Sequence, residues 1–343
     1  MKKGETRLTI LQGSVESTAI WGRIQRESVN CVITSPPYYG LRDYGVNGQL
    51  GQESHPDEYV RRLVNVFRDV KQVLRPDGVV WLNLGDSHAA NRGGTHQPAE
   101  TLAGGVGGYT TNNSPVNRGR LHGYNPTRDA PSIGLKHKDL IGMPWRVAFA
   151  LQADGWYLRS DVVWHKPNPL PESVKDRPTR SHEYVFLLSK RDKYYFDAPA
   201  IAEPAVSKKN KWTDGGSEKQ RGHGRRHAGF NGRYAERIEK FGAPKTRNAR
   251  DVWTISPKGF KGAHFAVFPE ELVRRCLLSG CPVGGTVLDP FVGSGTTLKV
   301  ASDLGRNGIG IELNPEYCAL AASRSGAEID VVTEEVVTRE AAA

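Results

Sequence analysis

Residues 286–312 constrain the fold more than any other stretch of the chain. Thr286-Val287-Leu288-Asp289 is a short apolar run ending on a carboxylate, and Gly293-Ser294-Gly295 is a tight turn. Thr296 to Leu304 has helical spacing, and Gly308-Ile309-Gly310-Ile311-Glu312 is a second apolar run. Short buried strands separated by a helix pair in parallel, because only a crossover returns the chain to the same edge. A doubly wound sheet binds nucleotide-like ligands at such a strand–turn–helix–strand unit. Its glycines let the backbone approach a ligand, and the helix start offers free N–H groups. Read alone, the unit also fits an ordinary βαβ turn with Glu312 as a solvated strand end.

The turn excludes two familiar phosphate cradles. It lacks the third glycine of the dinucleotide fingerprint and the Gly-Lys-Ser/Thr of a P-loop. Asp289 also opposes a phosphate. It suits a ligand carrying a cation and hydroxyls, such as the ammonium, sulfonium and ribose of S-adenosylmethionine. Glu312 lies about 20 residues beyond the turn, where an acid accepts ribose hydroxyls.

The second constellation is Thr34-Ser35-Pro36-Pro37-Tyr38, which follows the apolar run Ser28 to Thr34. Two prolines end a strand there, and strand C-termini are where open α/β sheets hold ligands. An exocyclic base amine is a poor nucleophile, since its lone pair is delocalised into the ring. The Ser35 hydroxyl and Pro36 carbonyl are suited to accept its hydrogens and free that pair. Pro36 and Pro37 fix the backbone, and Tyr38 offers a face for an extruded base. The same residues also read as a Pro-Pro turn carrying a surface tyrosine.

The charge is uneven. The chain has 47 Lys/Arg and 37 Asp/Glu among 343 residues, a net +10. Residues 207–250 hold 13 basic and 4 acidic residues, which gives +9 in that window alone. Such concentration is the footprint of phosphate binding. Candidate DNA contacts are Lys208, Lys209, Lys211, Arg225, Arg226, Arg233 and Arg247. Arg can pair with guanine O6/N7, although phosphate contact is the commoner role. Cys31, Cys276, Cys281 and Cys318 lack metal-ligand spacing and read as packed thiols; no metal is expected. No apolar run reaches membrane-span length and no signal segment follows Met1, so a cytoplasmic, non-membrane protein is expected.

Between these landmarks, Pro56 to Leu74 and Leu140 to Asp154 read as helices. Arg75 to Gly78 reads as a turn and Val79 to Leu84 as a strand. Tyr157 to Trp164 and Glu183 to Ser189 read as a hairpin-like strand pair, and Phe268 to Leu278 as a helix. Residues 89–130 contain eight glycines and read as a surface loop. The tail after Gly326 reads as peripheral.

Together the motifs resemble the amino-methylating DNA methyltransferases of the permuted β-type arrangement, in which S/D/N-P-P-Y/F precedes F-x-G-x-G. The resemblance runs from about Leu11 to Ser323. It implies an α/β fold: a Rossmann-like doubly wound mixed sheet of the class I methyltransferase kind, with an inserted basic target-recognition region. The expected division is 1–194 (catalytic half), 195–255 (target recognition), 256–326 (cofactor half) and 327–343 (tail). The implied catalytic residues are Ser35, Pro36, Pro37 and Tyr38. The implied S-adenosylmethionine site is Asp289, Phe291, Gly293, Gly295, Thr296, Thr297, Glu312, Asn314, Asp86 and the segment His264, Phe265, Phe268, Pro269. The implied substrate is double-stranded DNA; a cognate restriction endonuclease and a homodimer stay open.

Ser at position 35 resembles the cytosine-N4 branch more than the adenine-N6 branch. Adenine-N6, RNA or protein-amide methylation, and a non-catalytic DNA-binding protein of this fold remain as alternatives. Cytosine-C5 methylation is disfavoured, since it needs a cysteine nucleophile and the Pro-Cys dipeptide is absent.

Overall fold

The computed structural model describes residues 6–41, 44–90, 130, 133–169, 171–205, 240, 245–257 and 268–332. In chain order the elements are β1 (Leu8–Gln12), α1 (Thr18–Gly22), β2 (Val29–Thr34), α2 (Pro56–Val73), β3 (Leu74–Leu84), α3 (Met143–Ala153), β4 (Tyr157–His165) and β5 (His182–Ser189). There follow β6 (Glu203–Pro204), β7 (Thr246–Arg247), β8 (Val252–Thr254), α4 (Glu270–Gly280), β9 (Thr286–Asp289), α5 (Thr296–Asp303), β10 (Asn307–Glu312), α6 (Pro315–Ser325) and β11 (Glu328–Val331). The chain divides into two units, one of residues 1–196 with 251–343 and one of Asp197–Arg250.

The first unit is built on a nine-stranded sheet in the order β11-β1-β10-β9-β2-β3-β5-β4-β8. Strands β11 through β3 pair in parallel, whereas β5 is antiparallel to both β3 and β4. The expected mixed α/β sheet is therefore present. Its middle strands are apolar on both faces because helices cover both. Val29, Cys31, Val32, Val79, Val80, Leu82, Val287 and Leu288 are all fully buried.

Helix α2 shows how the sequence writes its own ends. The His55 side chain accepts from the Asp57 N–H at 3.2 Å, and Pro56 opens the first turn. Tyr59, Leu63, Val66, Phe67 and Val70 then recur on the buried face.

Two expectations need correction. Arg75 to Gly78 does not separate helix from strand, because β3 already begins at Leu74. Leu74 pairs with Val29 and Val79 with Cys31, so the four residues bulge out between two ladder pairs. The tail after Gly326 is not peripheral throughout. Glu328–Val331 pairs with Thr9–Gln12 as an edge strand, and short edge strands carry too little apolar pattern to be read.

The second unit contains a two-stranded antiparallel ladder of β6 and β7, with Glu203 opposite Arg247. Among the described residues no helix is long and apolar enough to cross a membrane, and no group of His, Cys, Asp or Glu is placed to hold a metal.

Candidate active site

Strands β2 and β9 are parallel neighbours, with Cys31 opposite Val287 and Val32 opposite Leu288. Their C-terminal ends therefore open on the same edge, and the two sequence motifs, 254 residues apart from Ser35 to Asp289 by numbering, become adjacent. One side chain ties them: Thr34 Oγ1 donates to Asp289 Oδ1 at 2.7 Å. Asp289 accepts two further bonds, from the Phe291 N–H at 3.1 Å and Thr297 Oγ1 at 2.6 Å. Burial pushes its carboxyl up to about 6 despite these donors. Asp289 thus braces the turn from inside, with all three of these donors supplied by the protein.

The glycine turn is built for close packing. Gly295 has φ +79°, and a Cβ there would lie 2.9 Å from Cα of Ala321 on α6. Gly293 donates its N–H to Glu312 Oε2 at 2.9 Å, and the Asn314 N–H reaches Glu312 Oε1 at 2.9 Å. Burial, with a smaller push from the Asp289 charge, raises the Glu312 carboxyl to about 7. Among the described residues no lysine or arginine pairs with it. A half-buried carboxylate held only by backbone N–H groups fits a ligand that brings hydroxyl donors or positive charge. Asn314 uses its side chain to cap α6 at Glu316 N, 2.8 Å away. Thr296 and Thr297 are buried at the start of α5. Phe291 packs against the main core.

Tyr38 sits in a polar network that the sequence did not reveal. Ser35 Oγ donates to Tyr38 Oη at 3.2 Å, and Tyr38 Oη reaches Glu183 Oε2 at 2.8 Å and Asn83 Oδ1 at 3.1 Å. The Asn83 amide donates to Glu183 Oε2 and to the Tyr184 carbonyl, each at 3.1 Å. Lys166 forms an ion pair with Glu183 Oε1 and lies 4.4 Å from the Trp164 ring centroid. Burial first, and the Glu183 charge second, hold the Tyr38 phenol well above its ordinary range, so it stays protonated and able to donate.

The backbone around the motif is fixed from two sides. Tyr59 Oη on α2 donates to the Pro37 carbonyl at 2.8 Å, and Gly40 N–H donates to the Gly51 carbonyl at 2.8 Å. The Gly51 loop is held by buried Glu53, which pairs with Arg62 at 2.6 Å. Gly85 backs the Tyr38 ring, since a Cβ there would lie 2.6 Å from Tyr38 Cε2.

Other expected site residues fall as follows. The Asp86 side chain is buried and spends Oδ1 on the N–H groups of Ser87, Gly142 and Met143 at 2.9, 3.1 and 3.0 Å, so it caps α3. Phe268 lines a small cavity with Thr34, Asn83 and Leu272, at the end of β2. Pro269 is the buried N-cap residue of α4. Arg247 lies in β7 and pairs with Glu203 at 3.1 Å. His264, Phe265, Lys208, Lys209, Lys211, Arg225, Arg226 and Arg233 lie outside the described residues, as does most of the glycine-rich 89–130 segment. All four cysteines are free and buried. Burial raises the Cys31 thiol far above its normal range, so it is no nucleophile.

A family model described as DNA methylase (N6_N4_Mtase) matches residues 29–323. The chain belongs to this family. The methylase is 46% identical over 302 residues to the Type II methyltransferase M.SmaI of Serratia marcescens, covering 88% of this chain and 85% of that one. It is 43% identical over 325 residues to the Type II methyltransferase M.Cfr9I of Citrobacter freundii, covering 94% and 90%. Two solved structures share its fold. One is a PvuII DNA methyltransferase titled cytosine-N4-specific (TM-score 0.57, 19% identity, 94% and 90% covered). The other is a modification methylase from Thermus thermophilus complexed with S-adenosyl-L-methionine (TM-score 0.55, 21% identity, 96% and 100% covered). The methylase is thus a Type II DNA methyltransferase of the amino-methylating N4/N6 family, and the family uses S-adenosylmethionine.

Proposed function

We propose that this methylase acts on the N4 amine of a cytosine flipped out of duplex DNA. One observation carries the reading: Ser35–Tyr38 stands at the end of β2, tied to the cofactor turn through Thr34 and Asp289 at 2.7 Å. That adjacency is what in-line delivery of a methyl group to an amine requires. When bound, S-adenosylmethionine supplies an electrophilic methyl group. The residues proposed to hold it are the turn Phe291–Gly295, the start of α5, Glu312 toward ribose hydroxyls, and Phe268.

Ser35 accepts one amine hydrogen in this reading and the Pro36 carbonyl the other, so that the nitrogen lone pair turns toward the donor. Tyr38 gives the base a face, and Glu183 and Asn83 hold its hydroxyl. The hydroxyl at position 35 supports cytosine over adenine, because the resemblance associates Ser with the N4 branch. Adenine N6 is the alternative on the same machinery. The basic 207–250 segment is proposed to grip DNA, and a cognate endonuclease fits the Type II relatives.

Purified protein incubated with methyl-labelled S-adenosylmethionine and mixed-sequence duplex DNA tests the reading after digestion to nucleosides. Label in N4-methylcytosine, lost in Ser35→Ala, is expected. Label in N6-methyladenine would move the target base while keeping the site.

A further inference from the structure

Methylation of an amine leaves a surplus proton. As the new N–CH3 bond forms, the S–CH3 bond breaks and its electron pair stays on sulfur. The nitrogen must then release one N–H proton. Ser35 touches the amine in the reading above, but a serine hydroxyl cannot keep a second proton. The proton has to move on.

The structure contains an unbroken path for it. Ser35 Oγ, Tyr38 Oη and Glu183 Oε2 are linked by bonds of 3.2 and 2.8 Å, and the path ends on a carboxylate. Each central member is both acceptor and donor, as a relay needs. The phenolic hydrogen has two acceptors in reach, and the bond to the carboxylate oxygen is the shorter, at 2.8 Å against 3.1 Å to Asn83 Oδ1. Asn83 stands behind this bond. Its amide donates to the same Glu183 oxygen and to the Tyr184 carbonyl, which fixes the carboxylate plane against the sheet.

The geometry points to Glu183 as the terminal proton acceptor of the methyl-transfer step, reached from the target amine through Ser35 and Tyr38. This inference rests on the proposed base-amine reading. In the transfer, the amine proton passes to Ser35 Oγ, the Ser35 proton to Tyr38 Oη, and the Tyr38 proton to Glu183 Oε2. Both hydroxyls end neutral and Glu183 ends as the acid. No alkoxide or phenolate persists, in keeping with the raised Tyr38 phenol.

The groups facing Glu183 leave Oε2 as the acceptor at the end of the path. Lys166, following β4, pairs with its other oxygen. Asn83 from β3 and Tyr38 from the loop after β2 donate to Oε2. On its own strand His182 is held below its usual range, by burial first and by the Arg180, His165 and Lys166 charges, so it is neutral at pH 7 and does not compete. Glu183 touches no substrate atom; it is a positioning residue whose effect travels through Tyr38.

The test is single-turnover methylation of mixed-sequence duplex DNA across pH 5–9, counting total transferred methyl, with S-adenosylmethionine and DNA affinities measured alongside. Glu183→Gln keeps the shape of the side chain and is expected to slow the methyl-transfer step about 10²-fold, in the range of general-base effects. It should also abolish the acid limb of the rate profile while leaving both affinities within about threefold. Tyr38→Phe should slow the step similarly, and the double variant should be no slower than either single one, because the path acts as a unit. Glu183→Asp should recover part of the rate and the acid limb. A Glu183→Gln protein with the wild-type rate and profile overturns the inference. So does a multiplicative double variant, or a uniform loss at every pH that comes with lost cofactor affinity. Absence of label in any base amine with the wild-type protein defeats the underlying reading instead, and that outcome is read separately from the variants.

Discussion

Glu312 allows the cofactor site to be tested by pH alone. Its carboxyl is raised to about 7 by burial, against an ordinary value of 4.5. A ligand that donates ribose hydroxyls to Glu312 needs the ionised form, so binding must expel the proton wherever the free protein carries it. With a value near 7, about one-tenth of the free protein is ionised at pH 6 and about nine-tenths at pH 8. S-adenosylmethionine affinity conferred by Glu312 therefore rises about tenfold across that span. The ligand's own amino group also titrates near pH 8, so the informative quantity is the ratio of wild-type to Glu312→Gln affinity, in which the ligand term cancels. Titration calorimetry at pH 6, 7 and 8, in two buffers of different ionisation enthalpy, reads both the ratio and the protons released. Asp289 titrates about one unit lower and keeps its partners inside the protein, so it contributes little above pH 7. The sign for stability is opposite. A carboxyl raised above its unfolded value costs stability as pH climbs from 4.5 through 7, by at most about 3 kcal/mol. Ligand-free Glu312→Gln should thus lose less stability than wild type over that rise. Parallel affinity profiles for wild type and Glu312→Gln would refute the assignment of Glu312 to the ligand.

Other substitutions probe the frame around the site. Gly85→Ala places a Cβ 2.6 Å from Tyr38 Cε2, so the ring must shift; turnover should fall by about 10²-fold while the melting temperature changes little, as checked by methyl incorporation and thermal scans. Gly295→Ala combines φ +79° with a 2.9 Å approach to Ala321, and should cost about 2–4 kcal/mol in urea denaturation and weaken cofactor binding. Thr34→Val removes the donor to Asp289 Oδ1; about 1–3 kcal/mol of stability should be lost, and more at pH 8 than at pH 5, because only the ionised carboxylate misses the bond fully.

The sequence by itself determined the strongly patterned elements and the chemistry-bearing motifs. Helix α2 was legible because its buried face repeats every three to four residues between His55 and Val73. Strands β2 and β9 were legible because both faces are covered, leaving apolar runs that stop at Ser35 and Pro290. The glycine turn and the Pro-Pro turn announced themselves through residues that few other conformations require.

Only the tertiary structure shows how each carboxylate is partnered, and the proposed ligand role of Glu312 rests on that partnering. Asp86, Asp289 and Glu312 look alike in a sequence. In space Asp86 caps α3, Asp289 locks Thr34 to Thr297, and Glu312 is held, among the described residues, by the backbone N–H groups of Gly293 and Asn314. Glu183 and Asn83 were invisible as partners of Tyr38 for the same reason. They lie 145 and 45 positions away along the chain, and nothing local to them records that β5 and β3 are neighbours. Local periodicity encodes which face of an element is buried. Which side chains meet across the sheet depends on strand order and register, which only the folded chain sets.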